Sequence, residues 1–130
     1  MGTAQANTIT VDVGAGGNCS LAEAIGNAND TTTGQPNTDC GDGDEAGADL
    51  IQFANANTTY SYTSALPAIT TAVTIQGNGN TTIQRTGGPA FSVLVVSGGG
   101  SLGLANATIS GGSAAAGGGI YANGSTLSLT

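Results

Sequence analysis

Residues 7–13, Asn-Thr-Ile-Thr-Val-Asp-Val, alternate in polarity, and a period of two predicts a strand with Ile9, Val11 and Val13 on one face. Gly14 to Asn18 then reads as a turn. Ser20 opens a different pattern: Leu21, Ala24, Ile25 and Ala28 share one face at helical spacing. Ser20 and Glu23 stand three apart as a capping box, in which hydroxyl and carboxylate each satisfy a backbone N–H. The spacing predicts a short helix over 20–29, weakened by Gly26, that persists only by packing its apolar face onto something else. Residues 30–49 follow as a polar loop of a length that is usually functional or tethered.

From residue 50 the texture changes. Short alternating stretches are separated by Gly and Asn: 50–53, 60–63, 73–75, 82–84, 91–96, 102–104, 108–110, 119–122 and 127–129. Strands this short and this closely spaced do not suit a sandwich. They also recur. Thr82-Ile83-Gln84 resembles Thr108-Ile109-Ser110, 26 positions on, and Leu102-Gly103-Leu104 resembles Leu127-Ser128-Leu129, 25 on. Val73-Thr74-Ile75 precedes Leu102-Gly103-Leu104 by 28 to 29, and Phe91 precedes Ile120 by 29. A repeat of this length with three short strands is one turn of a parallel β-helix. The expected fold is all-β: a right-handed parallel β-helix, with right-handedness the default for such crossovers. Its core would stack like residues coil upon coil, with Ile75, Ile83, Leu94, Leu104, Ile109 and Leu127 inside. Asn78, Asn80, Asn106 and Asn123 would form amide ladders at the corners.

Every coil needs a neighbour, so a solenoid end must be covered. The helix at 20–29 is the natural plug for one mouth. The expected organisation is therefore an N-terminal cap over 1–49 and coils over 50–130, with no cap after the strand-like Leu127–Thr130 and further coils of a longer chain as its partner. A bare last coil exposes unpaired backbone groups and invites end-to-end self-association.

Composition narrows the chemistry. The 130 residues hold 23 Gly, one base (Arg85), eight acids and no His, Lys or Trp, for a net charge of −7. Without His no Ser-His-Asp or Cys-His arrangement can be built. Without a basic patch no nucleic acid is an expected partner. No apolar run is long enough to insert in a membrane as a helix. Six acids lie in the loop: Asp30, Asp39, Asp42, Asp44, Glu45 and Asp49. Asp39, Asp42, Asp44 and Glu45 offer hard oxygen donors suited to calcium, without EF-hand spacing; the alternative is a solvated acidic loop. No other cofactor is expected. Residues 50–130 contain no Asp or Glu, so neither the carboxylate pair of a glycosidase nor the base of a lyase is present there, and no catalytic residue is assigned.

Cys19 and Cys40 are either two buried thiols or one disulfide, and the disulfide is the expectation: the count is even and the Thr/Asn-rich, Lys-free surface suits an exported protein. Ala4-Gln5-Ala6 has the small-x-small form of a signal-peptidase site, or is an ordinary polar terminus. Arg85 reads as a solvated surface cation, with a role in ligand binding as the alternative. Thr8-Ile9-Thr10 and Ser128-Leu129-Thr130 have the Thr-x-Thr form of ice-binding faces, but consecutive coils do not repeat it. Six Asn-x-Ser/Thr sequons begin at Asn18, Asn29, Asn57, Asn80, Asn106 and Asn123, as chance predicts in so Asn- and Thr-rich a chain.

Cys19-Ser20-Leu21-Ala22-Glu23-Ala24-Ile25 resembles the motif that names the CSLREA domain, with Ala22 where that family usually has Arg. Ala48-Asp49-Leu50-Ile51-Gln52-Phe53, Leu66-Pro67-Ala68-Ile69 and Val73-Thr74-Ile75-Gln76-Gly77 match its layout. The Gly-Gly-Gly-Ile-Tyr-Ala-Asn-Gly of 117–124 resembles the repeats of bacterial surface β-helix proteins of the polymorphic outer-membrane-protein type. The resemblance covers about residues 8–130. It implies the N-terminal portion of a secreted or cell-surface β-helix protein, adhesive or scaffolding, and brings no catalytic set. The alternatives are an ice- or glycan-binding solenoid, or a fragment of a polysaccharide-degrading enzyme.

Overall fold

The computed structural model describes residues 8–13, 17–30, 39–40, 49–114 and 118–130. In chain order these form β1 (Thr8–Val11), α1 (Leu21–Asn29), β2 (Asp49–Phe53), β3 (Thr59–Tyr62), β4 (Ala72–Arg85), β5 (Leu94–Val96), β6 (Ser101–Ser110), β7 (Ile120–Ala122) and β8 (Thr126–Leu129). All pairings between these strands are parallel, and they wind a β-solenoid of about three turns. The first station of each coil stacks β1, β2, the first half of β4, the first half of β6, and β8. The second stacks β3 and the second halves of β4 and β6. The third pairs β5 with β7, with Ile69 bridged to Val96 below them.

The register turns the short repeats into columns. Ile9, Ile51, Ile75, Leu104 and Leu129 stand one above another, and Val73, Leu102 and Leu127 form a second column. At the second station Tyr60, Ile83 and Ile109 stack in the same way. Rungs about 4.8 Å apart put identical branched side chains in van der Waals contact, which suits β-branched residues fixed at χ1. Ile75, Ile83, Leu94 and Leu104 are buried, as the sequence predicts. The offsets of 26, 25 and 29 read from the sequence are the pairings found for Thr82 to Thr108, Leu102 to Leu127 and Val73 to Leu102.

Three expectations need correction. Leu127 takes its place over Leu102 but is 37% exposed, because among the described residues no rung lies above it; Ile109 is half-buried for the same reason. Ile120 pairs with Leu94 rather than one coil above Phe91. Asn78 binds the backbone rather than an amide one coil away: its Nδ2 donates to the Phe53 carbonyl at 3.2 Å, and at the same corner Asn57 Oδ1 accepts from the Asn80 N–H at 3.1 Å. Asn57 and Asn106 are there because they tolerate φ of 54° and 57°, the left-handed turn of the corner. Gly77 serves the same corner by close approach: a Cβ there would collide with the Asn106 carbonyl.

At the N-terminal side of the stack the short helix buries its apolar face. Ser20 caps α1, its hydroxyl accepting from the Glu23 N–H at 3.2 Å while the Glu23 carboxylate accepts from the Ser20 N–H at 3.1 Å. These bonds hold the Glu23 carboxyl below its ordinary pKa. Leu21, Ala24, Ile25 and Ala28 are buried, and the helix packs against β1 and β2. Its far end is tied to the first coil: Asn29 Nδ2 donates to the Ala68 carbonyl at 2.7 Å, Asn29 Oδ1 accepts from the Thr70 N–H at 2.9 Å, and Thr71 Oγ1 donates to the Ala28 carbonyl at 2.9 Å. Cys19 and Cys40 form a buried disulfide across 21 residues of sequence.

Reducing that disulfide lowers the unfolding free energy by about 3 kcal/mol, read from urea titrations with and without reductant. In the same titration Ile75→Ala costs about 2–5 kcal/mol, and Ile109→Ala less, because its site already faces solvent.

Candidate functional site

The two ends of the solenoid are chemically opposite. Every acidic side chain of the sequence lies at or before Asp49, whereas residues 50–130 carry Arg85 alone as a charged side chain. At the other end the top rung is open. Leu127 and Leu129 are 37% and 62% exposed, the two large hydrophobic residues so placed among those described. A recess of about 330 Å³ opens there, lined by Leu104, Ala107, Ile109, Ile120, Leu129 and Thr130. It is the bore of the solenoid itself, one rung above the last complete coil.

The chain reaches this rim in a defined direction. Thr130 N–H donates to the Leu104 carbonyl at 2.9 Å, and the Thr130 carbonyl accepts from the Asn106 N–H at 3.4 Å. Thr130 therefore sits over the corner between the first and second stations. β8 covers the first half of β6, and among the described residues no strand pairs along the upper edge of Ala107–Ser110.

Arg85 is half-buried, and its guanidinium is also engaged by the protein. Its Nε donates to the Pro89 carbonyl at 3.0 Å, Nη2 to the Gly88 carbonyl at 3.0 Å and Nη1 to the Gly111 carbonyl at 3.4 Å. Its guanidinium lies 5.6 Å from the Phe91 ring centroid, within cation–π range. The fork clamps the turn after β4 and ties it to the next coil. The adjacent Gly-Gly-Pro was the signal for this in the sequence: a tight turn exposes carbonyls that need donors.

The outward face of the second station is a regular polar surface. Thr59, Thr82 and Thr108 align in register, as do Ser61, Gln84 and Ser110, and Gln84 Nε2 donates to Ser61 Oγ at 3.0 Å. A threonine column on consecutive coils is thus present on this face, where the Thr-x-Thr pattern of the sequence did not show it. Of the calcium candidates, Asp39 is described, while Asp42, Asp44 and Glu45 lie outside the described residues. No cluster of three or more metal-ligating side chains occurs among the described ones. No helix is long and apolar enough to cross a membrane.

At the capped end Phe53 and Tyr60 pack ring to ring with centroids 4.9 Å apart. Burial pushes the Tyr60 hydroxyl up, and burial, followed by its proximity to Tyr60, pushes Tyr62 up to about 12. The raised value means the fold disfavours the phenolate. Stability is therefore retained below the unfolded pKa of about 10 and falls as pH rises towards 12. Absorbance titration of the phenolates against chemical denaturation at each pH checks this; Tyr62→Phe removes the share of the loss that Tyr62 carries and leaves that of Tyr60. No protein-family model matches the chain, and neither a curated protein nor a solved structure is significantly similar to it.

Proposed function

We propose that this chain is a non-catalytic structural module: the helix-capped start of a secreted or cell-surface β-solenoid, carrying further coils on its open rim in a scaffolding or adhesive role. The single observation that carries the reading is the asymmetry of the ends. At one end α1 packs on β1 and β2 and is hydrogen-bonded to the first coil, and the other end presents exposed leucines. A cap of this kind lets a solenoid begin, and an apolar rim lets it continue.

Three further features support it. The coils lack carboxylates, so they offer no acid/base pair for polysaccharide cleavage. Their only cation is consumed by backbone carbonyls. The disulfide belongs to oxidising, non-cytosolic compartments. The CSLREA-like segment Cys19–Ile25 forms the start of α1, which is consistent with an N-terminal place in such a protein.

A second reading is favoured by the in-register Thr59, Thr82 and Thr108 column with its neighbouring Ser61, Gln84 and Ser110: a rigid, uncharged hydroxyl face that binds ice or a neutral glycan. One preparation of the oxidised chain discriminates. The structural module unfolds cooperatively and releases no reducing ends or unsaturated products from a panel of neutral and acidic polysaccharides. It also shows no thermal hysteresis and no glycan-array signal. Turnover would overturn the structural reading in favour of an enzyme, and thermal hysteresis lost in Thr82→Val would establish the second reading.

A further inference from the structure

The dipeptide Asn-Gly occurs twice in the chain, at Asn78-Gly79 and Asn123-Gly124, and the fold treats the two differently. We infer that Asn123 is a site of spontaneous covalent modification, where the Gly124 backbone nitrogen and water convert the side-chain amide into aspartate and isoaspartate, while the fold protects Asn78. The inference is independent of what the solenoid carries or binds.

The chemistry needs only the chain and water. The Gly124 nitrogen gives up its proton to solvent base and attacks Asn123 Cγ. A C–N bond closes a five-membered imide, and ammonia leaves with the amide nitrogen. Water then opens the ring at either carbonyl. One opening restores the ordinary main chain and gives aspartate; the other routes the main chain through the former side chain and gives isoaspartate. Three conditions favour ring closure: an amide side chain free to turn, a following N–H free of hydrogen bonds, and a following residue whose missing Cβ leaves its backbone free to adjust.

Asn123 meets all three. It is exposed in the corner between β7 and β8 and is held through its backbone alone: its N–H donates to the Val96 carbonyl at 3.0 Å and its carbonyl accepts from Ser125 Oγ at 3.0 Å. Among the described residues nothing bonds its side-chain amide or the Gly124 N–H. A Cβ added to Gly124 would meet no atom within 4 Å. The exposure belongs to the corner rather than to its level in the stack. Val96 pairs with Ala122 and Ser101 with Thr126, so residues 97–100 lie beneath 123–125, and there Gly98 and Gly99 are exposed even with a coil above them.

Asn78 is exposed as well, but it is tied. Its Nδ2 donates to the Phe53 carbonyl at 3.2 Å, its N–H donates to Thr81 Oγ1 at 2.7 Å and its carbonyl accepts from the Asn57 N–H at 3.1 Å. Gly79 lies inside β4 against Asn57, whose Oδ1 a Cβ there would approach to 2.8 Å. Ring closure at Asn78 requires these bonds to break first. At Asn123 the product places a carboxylate among residues 50–130, which otherwise have none, and the isoaspartyl form adds a methylene to the main chain of the corner that sets β8 over β6.

Arg85 is the sole tryptic site of the sequence, so trypsin separates Asn78, in 1–85, from Asn123, in 86–130. The oxidised full chain is aged at mildly alkaline pH, then unfolded, reduced and digested. Each fragment is read by mass for conversion of amide to acid, with the position assigned by fragmentation, and by isoaspartyl methyltransferase labelling. Conversion at Asn123 is expected to run at least about tenfold faster than at Asn78, the factor set by the bonds that Asn78 must break. Ageing in urea should bring the two rates together, and Asn123→Gln should abolish the conversion in 86–130. Equal rates in the folded chain, faster conversion at Asn78, or conversion in 86–130 that survives Asn123→Gln overturns the inference.

Discussion

Each rung of this protein is stable only against another rung. An isolated strand of three to five residues buries almost nothing, but a parallel neighbour in register satisfies its backbone and covers its aliphatic side chains at once. The column Ile9, Ile51, Ile75, Leu104, Leu129 shows the consequence along one line: full burial through Ile75, slight exposure at Leu104, and 62% exposure at Leu129. Nothing about leucine changes along that line; only the number of neighbours does. A core this narrow also explains how a chain with so few large apolar residues folds at all, because each aliphatic side chain is shared between two coils.

The same constraint makes the ends the places where chemistry is decided. At the foot, a nine-residue helix is too short to stand alone, and it is held by a capping box, a buried apolar face, the Asn29 bracket and a disulfide. These work together: the disulfide limits the unfolded chain, the cap satisfies the first N–H groups, and Asn29 sets the helix over the corner it must cover. At the rim none of these devices recurs among the described residues, and the bore opens to solvent. The recess at the rim is lined mainly by aliphatic side chains, and no acidic side chain follows Asp49 in the sequence.

Between the ends, the lateral surface is ordered by the core it encloses. Outward residues inherit the register of inward ones, which is why Thr59, Thr82 and Thr108 align although their spacings along the chain differ by three residues. Arg85 adds a tie across coils that the strands do not provide. Its guanidinium gathers carbonyls from its own turn and from the next coil's, places where helix or sheet bonding is absent.

Much of this was legible in the chain. Alternation gave the rungs, recurrence at 25, 26 and 29 gave the coil, and Ser20 with Glu23 gave the cap, because each depends on local backbone geometry or on a repeat that can be counted. What the sequence left open depends on contacts between distant segments. The part played by Arg85 needed the Gly111 carbonyl brought to it, the threonine column needed the register, and the pairing of Ile120 with Leu94 needed the length of the turns. The exposure of Leu127 and Leu129 was likewise settled in three dimensions, since a side chain's burial belongs to the coil above it as much as to the residue itself.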